Sequence, residues 1–269
     1  MIEALQYEFM QHALIAGILA SIVCGIIGVY VVVNRMVFIS GGISHASFGG
    51  VGLGLLSGID PLLGAMLFAI ASALSMGAIS RRTRLPVDTS IGIIWAIGMA
   101  LGVIFIALTP GYTPDISSYL FGNILMVSSL DLMLIIILAT IIVAVVFLLY
   151  KEFLVLSFDE EFGKVSGLPI ERLYFLLLCL IALSVIILMR AVGIILVIAL
   201  LTIPAAMARR FTYSLKRMML LSTLFGAIFI ISGLWLSYEL DMPSGATIIL
   251  VSGTLFLASL GFSKLRSML

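Results

Sequence analysis

The chain is divided into nine continuously apolar blocks, at residues 12–33, 41–59, 61–80, 89–108, 130–150, 173–189, 191–208, 218–237 and 243–262. Each has about the length of a helix that crosses a bilayer core, which takes roughly 20 residues. A membrane barrel strand alternates apolar and polar positions, and these blocks do not. The stretch 173–208 is too long for one span and is interrupted only by Arg190, so the boundary between two spans is placed there. The pattern predicts an all-α, polytopic bundle of about eight to nine transmembrane helices, the lower count applying if one block is a partial helix. Residues 1–269 then form a single transmembrane domain, with the bilayer as its solvent.

Composition agrees with that reading. Of 269 residues, 63% are hydrophobic and 10% are charged, whereas a soluble domain carries about 25% charged residues to face water. The N-terminus holds Glu3 and Glu8 without an early Lys or Arg, so it lacks the basic start of a signal peptide. Cys24 and Cys179 each sit alone in an apolar run and read as packing residues.

Two connections are more than links. Residues 109–129 contain the turn residues Pro110, Gly111 and Pro114 amid apolar positions, and predict a short helix resting at the outer surface. Residues 151–172 contain Asp159, Glu160, Glu161 and Lys164 before Gly167 and Pro169. Ser157 or Asp159 would cap a short helix there, acids first and Lys later, ending at Gly167.

Charge placement sets the orientation. With Arg81, Arg82 and Arg84 in the cytoplasm and one crossing per block, Arg35, Lys151, Lys164, Arg172, Arg209, Arg210, Lys216, Arg217, Lys264 and Arg266 fall on the same side. Of 14 basic residues only Arg190 is left outside. The N-terminus is therefore expected outside and the C-terminus inside a prokaryotic cytoplasmic membrane. Asp60, Asp115, Asp131, Glu239 and Asp241 gather on the outer side, as does a field that attracts cations.

Candidate chemistry is sparse. The chain has no phosphate-binding glycine loop, no H-E-x-x-H and no C-x-x-C, so no enzyme site and no nucleotide site is expected. In the second block Gly42, Ala46, Gly50, Gly54 and Gly58 recur every four residues and make a small-residue stripe for close helix packing. Beside it stands His45, flanked by Ser44 and Ser47, roughly 20 Å below Asp60 along a helix. An ionisable side chain at membrane depth is a candidate for function; the alternative is a neutral imidazole bonded to a carbonyl between helices. Pro204 interrupts the seventh block near its cytoplasmic end, as a gate element or as plain bundle geometry would.

Taken together these segments resemble the permease subunits of the zinc/manganese/iron class of ABC importers. The resemblance rests on Asn34-Arg35-Met36 with Ile43-Ser44-His45-Ala46, on Ser118-Tyr119-Leu120-Phe121-Gly122, and on Phe158-Asp159-Glu160-Glu161-Phe162 through Gly167. It extends to Val192-Gly193 through Ile203-Pro204-Ala205-Ala206 and to Ser237-Tyr238, Asp241, Pro243 and Gly245-Ala246. It implies a homodimeric permease, cytoplasmic ATPase subunits below, an extracytoplasmic solute-binding protein above, and a divalent metal as transported substrate with no permanently bound cofactor and no nucleic acid. Phe158, Asp159, Glu160, Glu161 and Gly167 would form the coupling helix that meets the ATPase. His45 with Ser44 would lie on the metal pathway, and a backbone carbonyl, water, or the Asp241 and Glu239 region in another conformation would complete the ligand set. One position departs: the family places Asp four residues before this histidine, and here Gly41 stands there. A carrier of a metal chelate, siderophore or corrinoid, is the alternative. A secondary transporter would need an intramembrane acid or base pair, and apart from His45 no block interior supplies one.

Overall fold

The computed structural model describes residues 6–83, 85–110 and 122–266; Arg84, Asp115 and positions 118–121 of the external motif lie outside the described residues. Every apolar block is a helix. These are α1 (Glu8–Val33), α2 (Val37–Ser57), α3 (Pro61–Arg82), α4 (Val87–Leu108), α5 (Ser129–Leu148), α8 (Ile170–Val192), α9 (Ile194–Arg209), α10 (Leu215–Leu240) and α11 (Ser244–Arg266). Two short helices, α6 (Tyr150–Phe158) and α7 (Glu160–Val165), occupy the connection between α5 and α8.

Among the described residues, seven of the nine long helices have the length and hydropathy to cross a membrane alone. The other two are α2, diluted by glycine and serine, and α9, whose 16 residues reach only about 24 Å. Both lie inside the bundle, where protein rather than lipid covers them. Helix α2 is flanked by α3, α4, α8 and α9, and α9 by α1, α10 and α11. A helix surrounded by helices does not need an apolar exterior of full membrane thickness.

The expected break at Arg190 falls elsewhere. Helix α8 runs through position 190 to Val192, and the chain breaks at Gly193, with φ 80° and ψ 159°. A single charge near a helix end does not stop a helix; a backbone conformation open mainly to glycine does. A Cβ on Gly122 would overlap the backbone of Gly193, so the 109–129 connection is pinned at this break. Its described part holds a 3-10 turn, Ile124–Met126, anchored by buried Ile124.

Close contacts fix the register of neighbouring helices. On α1, the positions of Gly17 and Gly25 face Ile230 and Thr223 of α10, an antiparallel match. Gly50 of α2 lies against the backbone of Gly64 in α3, and a Cβ on Gly54 would stand 2.7 Å from Pro61 Cα. Helix α4 runs parallel to α2, with Gly98 at Ala46 and Gly102 at Phe48 and Gly52. The predicted four-residue stripe thus serves both neighbours, Gly50 and Gly54 meeting α3 and Ala46 meeting α4, and Gly58 closes α2 in a left-handed turn with φ 68°. A second glycine edge, Gly49 and Gly52, meets the G-x-x-x-G of α4. In lipid, where apolar burial offers no drive between helices, such backbone approach supplies the dispersion contact that holds them.

This alternation sorts the charges by helix end. Arg35, Arg81, Arg82, Lys151, Arg172, Arg209 and Lys216 lie at or just beyond one set of helix ends, and Asp60, Asp131, Glu239 and Asp241 at the other.

Candidate functional site

His45 sits eight residues into α2 and Trp95 eight residues into the parallel α4, so both rings stand about 12 Å along their helices from the basic end. The approach of Gly98 to Ala46 brings the two helices together at that level. The rings stack, with centroids 4.2 Å apart and planes 6° from parallel. The stack covers a face of the imidazole and leaves its nitrogens in the plane. Nδ1 is buried and has no hydrogen-bond partner. In the tautomer with the proton on Nε2, Nδ1 carries a lone pair that a hydrogen-bond donor or a metal ion could take.

The other expected pathway residues are placed differently. Ser44 is fully buried and donates its hydroxyl to the Ser40 carbonyl at 2.8 Å, so its proton is engaged within α2. Ser47 donates to the Ser44 carbonyl at 2.6 Å and faces Met189 of α8. Glu239 accepts from the Trp235 indole at 3.2 Å, and Asp241 caps α10 in a left-handed turn with φ 51°. Both acids are exposed at the acidic end of α10, whose neighbours are α1, α9 and α11 and not α2. The structure therefore does not bring them to His45. Among the described residues no three His, Cys, Asp or Glu side chains converge on one point.

Gly41 lies one turn before His45. Beyond its own helix, a Cβ there would meet only Ile198 Cδ1, at 3.8 Å. The site accepts a side chain where this chain has none. Trp95 was not among the residues singled out by sequence; the signal was that α2 and α4 both start at the basic end, which puts positions eight residues in at equal depth. Pro204 is buried inside α9, which continues past it to Arg209.

The second site is the 151–172 connection. Asp159, rather than Ser157, caps α7, its Oδ1 accepting from the Phe162 amide at 2.8 Å. Gly167, with φ 78°, turns the chain as α7 ends. Gly163 packs α7 against Val155 and Ile170. Glu160 is not free: it takes a 2.8 Å ion pair from Arg81 at the end of α3. Glu161 is exposed. The outer face of the segment is apolar, with Phe158 and Phe162 each 58% and Val165 89% exposed. Phe162 and Val165 lie three residues apart on α7 and share a face, and Phe158 precedes them as the last residue of α6, across the extended Asp159.

A search of protein-family models matches residues 6–263 to the ABC 3 transport family. Over 264 residues the chain is 48% identical to a membrane protein of Synechocystis sp. described as uncharacterized, covering 98% of this chain and 94% of the relative. It is 38% identical over 265 residues to the manganese transport system membrane protein MntC of Listeria monocytogenes, again covering 98% and 94%. Among solved structures, PsaBC from Streptococcus pneumoniae, in complex with a Fab, superimposes with a TM-score of 0.86 at 35% identity over 96% of this chain and 93% of that one. A polytopic helical bundle, a glycine-packed α2 carrying His45, a capped helix between α5 and α8 and a family match along nearly the whole chain agree: this protein is a member of the ABC 3 transport family, a membrane permease component and not an enzyme.

Proposed function

We propose that the chain, as a single permease domain, is the membrane subunit of an ATP-driven importer that carries a divalent metal ion, manganese before zinc or iron. The observation that carries this reading is the end-to-end likeness in sequence to a manganese transport system membrane protein, with the fold of PsaBC shared over nearly the whole chain. The metal is cargo and not a resident cofactor, and His45 offers it an imidazole lone pair in passing. Family membership removes the secondary-transporter alternative.

In this reading a second copy of the chain completes the pathway, and ATPase subunits press on α7, at Phe162 and Val165 with Phe158 just before them. A solute-binding protein delivers the ion at the acidic end, where Asp60, Asp131, Glu239 and Asp241 lie. Expected on reconstitution with an ATPase and binding protein is ATP-dependent uptake of radioactive manganese into vesicles. ATP-dependent uptake of a siderophore or corrinoid complex, without uptake of free ions, would overturn the cargo assignment in favour of a chelate.

The orientation follows from the basic helix ends. The N-terminus is outside, and α11 returns the chain to the cytoplasm. A reporter fused after residue 264 is expected to be active only if it is a cytoplasmic reporter; activity of a reporter that works only outside the membrane would reverse every inner and outer assignment.

A further inference from the structure

We propose that Arg81 is a positioning residue for coupled transport: it latches α7 onto α3, so that a push on α7 reaches the helix pair that holds His45. The proposal rests on the reading that α7 meets the ATPase. It stands on three contacts. Arg81 Nη2 donates to Glu160 Oε1 at 2.8 Å, and Glu160 is the first residue of α7. The same guanidinium lies 3.8 Å above the ring of Tyr174, which is 6% exposed on α8. Arg81 is itself at the end of α3, whose other end packs backbone to backbone on α2 through Gly64 and Gly50.

One planar cation thus joins three elements, as arginine does when a carboxylate takes its edge and an aromatic ring its face. Among the described residues no other hydrogen bond or ion pair reaches α7 from outside the 151–172 connection. Helix α7 otherwise touches α6 and α8, its neighbours along the chain. The adjacent Arg82 makes a different link: it pairs with Glu171 at 3.8 Å, with the two side chains 73% and 63% exposed. That pair ties α3 to α8 and bypasses α7, so it serves as an internal control. Loss of the Arg81 latch frees α7 to move under the ATPase without carrying α3, and ATP is spent without cargo.

The test uses the whole complex in vesicles, with manganese uptake and ATP hydrolysis measured together and the ratio of the two as the readout. Arg81→Gln and Glu160→Gln are each expected to lower ions moved per ATP roughly ten-fold, with hydrolysis retained. The double variant should lose no more than either single one, because both remove one bond. Arg81→Lys keeps the charge and loses the planar stack on Tyr174, so it should recover part of the ratio and not all of it, and Arg82→Gln should match the wild type. Should Arg81→Gln fail to assemble, Glu160→Gln and Arg81→Lys still give the ratio. A purely structural role would lower the amount of complex while leaving ions per ATP unchanged, and that result overturns the latch, as do losses that add in the double variant or an equal loss in Arg82→Gln. If the wild-type complex hydrolyses ATP and moves no metal, the cargo assignment has failed instead.

Discussion

His45→Ala is expected to lower metal uptake by about ten- to a hundred-fold, the range over which metal sites respond when their ligand arrangement is damaged. Three features set this expectation. The imidazole is at membrane depth, its Nδ1 is buried without a partner, and Trp95 clamps its plane. Stacking fixes the ring while leaving the lone pair uncommitted, so the side chain contributes little bonding that alanine would forfeit. Expression, assembly with the ATPase and thermal stability should therefore stay close to wild type. Uptake by His45→Ala at the wild-type rate would reduce the histidine to a packing residue, as would a loss of uptake matched by an equal loss of folded protein. The complementary change is Gly41→Asp. Manganese prefers oxygen ligands and binds imidazole less readily than zinc does. A carboxylate one turn before His45 falls on the same helix face, and only Ile198 Cδ1, at 3.8 Å, borders the new Cβ. Manganese binding by the purified permease should tighten; unchanged binding would show that the two positions do not act on one ion.

Phe162→Glu is expected to prevent the ATPase from assembling on the permease. Phe162 and Val165 expose apolar surface on α7, outside the spanning segments, with exposed Phe158 just before it, and a large aromatic side chain in such a patch is where docking energy concentrates. Truncating such an anchor costs about 2 kcal/mol or more, roughly thirty-fold in affinity, and a buried charge costs more. Co-purification with the ATPase reads the loss directly. Glu161→Lys, an exposed rim position, should change affinity far less. If Phe162→Glu binds the ATPase as the wild type does, docking uses another surface.

The sequence by itself determined the helical bundle, its nine apolar blocks, the gathering of its basic residues at one set of helix ends and the presence of a capped helix after α5. Those properties follow from runs of like residues and from Asp159 and Gly167 at the ends of one short helix, which are local. It also singled out His45, because an imidazole in an apolar run is unusual wherever the run folds. Tertiary structure decided what each of those residues meets. Gly193, and not Arg190, divides α8 from α9, because backbone conformation outweighs one charge. Glu160 meets Arg81, 79 positions away along the chain, so this acid of the short helix also carries an ion pair to α3. Trp95 reaches His45 only because α4 lies parallel to α2, with Gly98 against Ala46. Glu239 and Asp241 stay away from His45 because α10 packs on α1, α9 and α11. Local pattern places a residue at a depth; only packing across helices gives it a partner, because the close approaches that choose neighbours depend on two glycine edges meeting and not on either one alone.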